Sequence, residues 1–225
     1  FVTWVVTPFS MAFFAWVFFR YVFSAWISPA EADQYIAGTI ILAAAPCTAM
    51  VFVWSYLTDG DPAYTLVQVA VNDLIMLVLF VPIVGLLVSG ASSLAVPFDV
   101  LLYSVAIFIV IPLIVGAGLR LWLVRRYGLR WMEEQFLPRF APVTIAALLL
   151  TLVCIFAFQS QNILGKTVHV VLIAVPILLQ VYMNSALAYG LMHRWRVPYA
   201  IAAPGALIGA SNFFELAVAT AIALF

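Results

Sequence analysis

The stretch Ala43-Ala44-Ala45-Pro46-Cys47-Thr48-Ala49-Met50 lies in the middle of an apolar run from Tyr35 to Leu57, and its reading decides the fold. At 1.5 Å per residue such a run is long enough to cross a bilayer, so its midpoint falls near the hydrocarbon centre. Pro46 removes a backbone donor, and its ring clashes with the preceding turn. Inside a membrane this is tolerated only where protein or a water-lined cavity satisfies the freed carbonyls. Two readings are open. In the first the helix is broken and a second half-helix starts at Pro46, with Cys47 in its first turn, where the positive end of the helix dipole favours thiolate. In the second the proline kinks a continuous helix, and Cys47 is a small buried apolar residue.

Outward from this stretch, composition sets the class. Of the 225 residues 67% are hydrophobic and 8% charged, and the mean hydropathy is +1.20. That leaves too little polar surface to coat a soluble domain, and the expectation is an all-α polytopic membrane protein. Nine basic and nine acidic residues give a net charge of zero. There is no basic field for nucleic acid, which is excluded as a partner, whereas the lipid bilayer is required. The two cysteines, Cys47 and Cys154, fall inside apolar runs at no spacing that resembles a zinc site or a disulfide framework. The chain opens on Phe1 and stops inside an apolar run, so a fragment missing helices at both ends is expected.

Length and flanking breakers place seven spans, at residues 1–27, 35–57, 63–88, 100–124, 140–158, 168–192 and 198–225, forming a single transmembrane domain over 1–225. The connection 28–34 is acidic, Thr58-Asp59-Gly60-Asp61-Pro62 is a tight turn, and the connection before span five is the longest. Arg120, Arg125, Arg126, Arg130, Arg139, Arg194 and Arg196 fall on one side, against Arg20 and Lys166 on the other. The positive-inside rule puts the basic loops in the cytoplasm. Trp26, Tyr35, Trp122, Tyr127, Trp131, Trp195 and Tyr199 near span ends suit interfacial belts. Pro8, Pro82, Pro112 and Pro176 are expected to kink their spans.

Polar groups inside the spans are few. A carboxylate near the bilayer centre costs about 2.5–3.5 kcal/mol on insertion scales, so it faces inward and is functional by default. Asp73 follows Asn72 about 15 Å into span three by helix rise, with Gln68 near the same face. Glu215 lies deep in span seven, after Gly209-Ala210-Ser211-Asn212. Neither acid has a basic residue at comparable depth, so each is a candidate for proton transfer or for a bound cation. Pro204-Gly205 and Gly209 to Asn212 both weaken helical continuity, which makes span seven a second broken helix. The spacing of Asn212 and Glu215 also fits a capping box, a purely structural role. Two interrupted spans five apart in order cross in opposite directions, the pattern of an inverted-repeat transporter. Gln180 and Asn184, four apart on span six, either line the same cavity or bond a neighbouring helix. No phosphate-binding loop, Ser/His/Asp set or metal-ligand cluster is present, so neither an enzyme nor a cofactor is expected.

The stretch Ala45 to Trp54, followed by Asp59-Gly60-Asp61 and Val69-Ala70-Val71-Asn72-Asp73, closely resembles the fourth and fifth spans of arsenite efflux permeases, within the bile acid/sodium symporter superfamily. Ser211-Asn212-Phe213-Phe214-Glu215-Leu216-Ala217 resembles the ninth. The resemblance covers essentially the whole chain. It implies a ten-span protein of two inverted five-span repeats with two discontinuous crossing helices, of which seven are here. It maps the substrate thiol onto Cys47 and the essential carboxylate onto Glu215. The implied activity is export of arsenite, possible also for antimonite, from the cytoplasm across the cell membrane by antiport with protons, giving arsenical resistance. Substrate contacts are then expected from Cys47, Ser211 and Asn212, and proton coupling from Glu215 and Asp73. Gln68, Asn72, Gln180 and Asn184 are the supporting polar groups. As(III) is cargo, not a resident metal. The alternative is a sodium-coupled organic-anion symporter, with Asn72, Asp73, Asn212 and Glu215 around sodium and Cys47 incidental. A non-transporting membrane sensor is the third class.

Overall fold

The computed structural model describes residues 1–47, 50–94, 97–212 and 217–218, with the backbone alone at 108, 141 and 162. Every regular element among the described residues is a helix. They are α1 (Thr7–Val17), α2 (Pro29–Ala43), α3 (Val51–Leu57), α4 (Pro62–Ala91), α5 (Phe98–Val105), α6 (Ile111–Tyr127), α7 (Leu129–Trp131), α8 (Leu137–Gly165), α9 (Thr167–Arg194) and α10 (Tyr199–Ala210). Four described stretches are long and apolar enough to cross a membrane, Val2–Val22, Pro62–Ala91, Leu129–Gln161 and Thr167–Arg194. The expected spans at 35–57, 100–124 and 198–225 are not among them, and the first and last are interrupted within the described residues.

Proline explains much of the local geometry. The π-helical turns Val2–Val6, Ala106–Val110 and Met132–Phe136 end two residues before Pro8, Pro112 and Pro138 respectively. Widening the helix at that point makes room for the ring and for the hydrogen bond that proline cannot give. Pro82, Pro142, Pro176 and Pro204 stand within α-helices.

Three connections differ from the expectation. The acidic stretch after Ser28 is the first turn of α2: the Ser28 side chain accepts from the Glu31 amide, Glu31 returns the bond to the Ser28 amide, and Pro29 follows the cap. An acid there complements the helix dipole. The long basic connection before span five is helical, broken at Gly128, whose φ of 86° suits a residue without Cβ. Between α8 and α9 the expected loop shrinks to Lys166. The Thr58–Pro62 turn is as tight as expected. The Gly60 amide donates to Ser55 O at 2.7 Å and the Asp61 amide to Ala200 O at 2.8 Å. A Cβ on Gly60 would stand 2.8 Å from both Pro204 Cγ and Ser55 Oγ, so only glycine lets this turn sit against α10. Asp61 then caps α4 by accepting from the Ala63 and Tyr64 amides.

The chain divides into two compact units, residues 1–109 with 172–225, and residues 110–171. In the first, α1 packs on α2 and α4, and α10 packs on α3, α4 and the turn Val2–Val6. Arg20 pairs with buried Asp33, and Ser93 donates to the same carboxylate, which fastens the chain after α4 to the start of α2. The charge of Arg20 is thus matched by a partner that the sequence reading left in a loop. In the second unit an aromatic column runs past Gly128, with Tyr127 stacked on Trp131 at 4.5 Å and Phe136 on Phe140 at 5.4 Å. The residues expected in an interfacial belt here stack on one another.

Candidate functional site

The first interruption is a break, not a kink. Helix α2 stops at Ala43, Ala44 still has helical angles, and Pro46 and Cys47 lie in no helix. A residue before proline is pushed out of the α region and proline itself offers no donor, so the helix ends ahead of the Ala45-Pro46 pair. The second half, α3, begins at Val51. This corrects the expectation that it starts at Pro46: Cys47 sits in the connection, four residues before α3, and not in a helical first turn. Cys47 is 9% exposed and buried, and Cys154 is exposed on α8.

The second interruption falls at Ser211. Pro204-Gly205 stays helical, and Gly205 packs closely on α9, since a Cβ there would stand 3.3 Å from the Met192 sulfur. Helix α10 ends at Ala210, Ser211 is extended (φ −78°, ψ 150°), and its hydroxyl donates to Ile208 O at 2.8 Å. Of the two weak points in the sequence, only the glycine-serine one breaks the helix. Glu215, and with it the capping box to Asn212, lies outside the described residues.

The helix ends beside the two breaks pack together. Val51, the first residue of α3, forms one buried cluster with Ile208 near the end of α10 and Val69 on α4. One turn along α4 from Val69 stand Asn72 and Asp73. Asn72 is buried and accepts a hydrogen bond of 3.1 Å from the Trp4 indole Nε1. Because the indole only donates, the Asn72 oxygen faces Trp4 and is engaged. Asp73 is half-buried, as is Gln68, whose Oε1 lies 3.6 Å from the Cβ position of Gly205.

Gln180 and Asn184 are fully buried on α9 and both reach α1. Gln180 Nε2 donates to Thr7 O at 3.4 Å, and Asn184 Nδ2 donates to Thr7 Oγ1 at 3.0 Å. The same Thr7 hydroxyl reaches Gly209 O at 3.1 Å, in the last turn of α10. Thr7 therefore joins α1, α9 and the end of the second half-helix. The sequence reading missed it, along with Trp4 and Ser10. Its signal was the recurrence of Thr3, Thr7 and Ser10 at helical spacing through an otherwise apolar span. Among the described residues no three His, Cys, Asp or Glu side chains gather as a metal site.

Helical in every described element, mostly apolar, and with buried Thr7, Gln180 and Asn184 bonded together beside the end of α10, the chain has the build of a multi-pass membrane protein rather than of a soluble domain. The model of the Sodium Bile acid symporter family matches residues 1–166, and the chain belongs to that family. It is 52% identical to an arsenical-resistance protein Acr3 of Alkaliphilus metalliredigens, over 99% of this chain and 62% of that protein. It is 43% identical to an uncharacterized transporter of Synechocystis, over 100% of this chain and 61% of the relative. A second arsenical-resistance protein Acr3, from Corynebacterium glutamicum, is 31% identical over 99% of this chain and 60% of its own length. The chain thus spans about three fifths of the curated relatives it matches.

Proposed function

We propose that this protein exports arsenite, with antimonite as a second cargo, from the cytoplasm in exchange for protons, and so confers arsenical resistance without catalysing a reaction. The observation that carries this reading is buried Cys47 in the connection between two half-helices, where α3 packs against the end of α10 beside the second break. The names of two relatives support it.

Arsenite in neutral water is an uncharged trihydroxide whose soft As(III) prefers sulfur. The Cys47 thiol displaces one hydroxyl: the S–H proton and the hydroxide leave as water, and an As–S bond forms. Water reverses the step on the far side. One thiol suits transport, because three would hold the metalloid too firmly to release it. Ser211 and Asn212 contact the remaining hydroxyls. Glu215, with Asp73 as the second acid, takes up and releases the coupled proton as the protein alternates between inward and outward openings, in the manner of a ten-helix inverted-repeat fold. The basic side, with Arg125, Arg126 and Arg130, faces the cytoplasm of a multi-pass protein in the cell membrane. A cysteine replacing Arg130 should then react with an impermeant thiol reagent only from the cytoplasmic side, and one replacing Gln161 only from outside. Labelling of both from one side would overturn this orientation.

The family's own description favours a second reading, sodium-coupled uptake of an organic anion. The Asn72 oxygen that would ligate sodium accepts one hydrogen bond from Trp4 and keeps a second lone pair, so transport separates the two readings. Cells of an arsenite-sensitive strain expressing the protein at its natural length should keep their arsenic content low and grow in arsenite, whatever the external sodium. Sodium-dependent accumulation of an organic anion, with no change in arsenic content, would favour the second reading.

A further inference from the structure

We propose that Gln180 and Asn184 are specificity-determining acceptors for the hydroxyl groups of a small neutral trihydroxide, an assignment that rests on the arsenite reading of the preceding section. Gln180 Oε1, Asn184 Oδ1 and Asn212 Oδ1 are buried and have no hydrogen-bond partner among the described residues. A buried polar atom left without a partner is costly, and native structures leave few without a water, ion or ligand to explain them.

The orientation of both α9 amides follows from Thr7. Gln180 faces the Thr7 carbonyl, which only accepts, so its nitrogen must point there. Asn184 faces the Thr7 hydroxyl, whose single hydrogen is directed at Gly209 O or Val2 O, so the hydroxyl receives the Asn184 nitrogen by its lone pair. Gln180 cannot turn over without setting its oxygen against that carbonyl, and turning Asn184 over would take the Thr7 hydrogen from Gly209 O and Val2 O and give up the bond from Asn184 Nδ2 to Ser10 Oγ. Their oxygens are therefore held away from α1, one helical turn apart, and the third orphan oxygen belongs to the break that Thr7 fastens through Gly209. Three acceptors call for a ligand that donates. Neutral As(OH)₃ has three O–H donors, one for each acceptor; once bound to Cys47 it keeps two, which donate to Gln180 and Asn184, while Ser211 and Asn212 meet the same hydroxyl oxygens as donors.

A site that accepts hydrogen bonds rejects an analogue lacking the donor far more strongly than an apolar pocket rejects an added group. The test compares arsenite with methylarsonous acid, in which one hydroxyl is replaced by methyl, in cells expressing the protein at its natural length. Wild type should prefer arsenite. In Gln180→Met and in Asn184→Leu the ratio of arsenite to methylarsonous acid efflux should fall about tenfold, the worth of one hydrogen bond. If the amides only hold helices together, both arsenicals will lose efflux equally and the ratio will stay fixed, which overturns the assignment. Stabilisation of the purified wild type by sodium over choline chloride, lost in Asn184→Leu, would overturn it too by giving the oxygens to a cation. If wild type moves neither arsenical while Asn184→Leu remains in the membrane at wild-type level, the arsenite reading itself fails and this assignment falls with it.

Discussion

Cys47→Ser should reduce arsenite resistance to that of cells without the protein, while Cys154→Ser should leave it close to wild type. Serine keeps the shape of the side chain but presents a hard oxygen in place of the soft sulfur that As(III) selects. It also buries a hydroxyl where Cys47 is 9% exposed, which costs about 1–3 kcal/mol if unpaired. Cys47→Ala separates the two effects, since it removes the thiol without adding a polar group. Both variants should reach the membrane in wild-type amounts and both should fail to extrude arsenite. Cys154 is exposed on α8 among apolar neighbours and is not expected to bind cargo. Equal resistance in the two serine variants would sink the thiol mechanism.

Glu215→Gln should eliminate uphill, proton-driven movement of arsenite. A proton carrier must lose its proton on one side and regain it on the other, and a glutamine keeps the shape while removing that step. In inside-out vesicles with an acidic lumen, wild type should accumulate arsenite in proportion to the pH gradient and ignore sodium. The variant should only equilibrate it. Accumulation that follows a sodium gradient would instead favour the organic-anion reading, with Asp73 and Glu215 as cation ligands. Unimpaired pH-driven accumulation by the variant would reduce Glu215 to the cap its spacing from Asn212 allows, and make Asp73 the next acid to replace.

The helical, membrane-spanning character of the chain was legible because composition and run length alone set it, whereas Pro46 was legible only as an interruption, since proline's local sterics allow a kink as well as a break. The break at Ser211 was legible only as one of two weak points. Pro204 stays helical inside a packed segment where Gly205 meets Met192, and that contact is invisible from α10 alone. Neither of the two readings at Pro46 placed the start of α3, for a related reason. Proline at the first helical position is a good local signal, yet Val51, which buries itself against Val69 and Ile208, is where the half-helix begins. Gln180 and Asn184 were found by their scarcity in an apolar run, whereas their common partner Thr7 was passed over because a hydroxyl in a membrane helix is routinely satisfied by its own backbone. The ion pair of Arg20 with Asp33 was hidden because the two lie on different elements. Loop lengths were the least legible feature. The expected basic connection is helical on both sides of Gly128, since Leu129 to Phe136 carries strong helix formers that a charge count does not register.

The central claim is that sulfur from the broken helix binds the cargo, and the X-ray absorption spectrum of arsenic in the purified, arsenite-loaded protein tests it most directly. Wild type should show arsenic bound to one sulfur with oxygen in its remaining positions, and Cys47→Ala should show oxygen alone. Oxygen-only coordination in wild type, or an As–S bond that persists in Cys47→Ala, would contradict it.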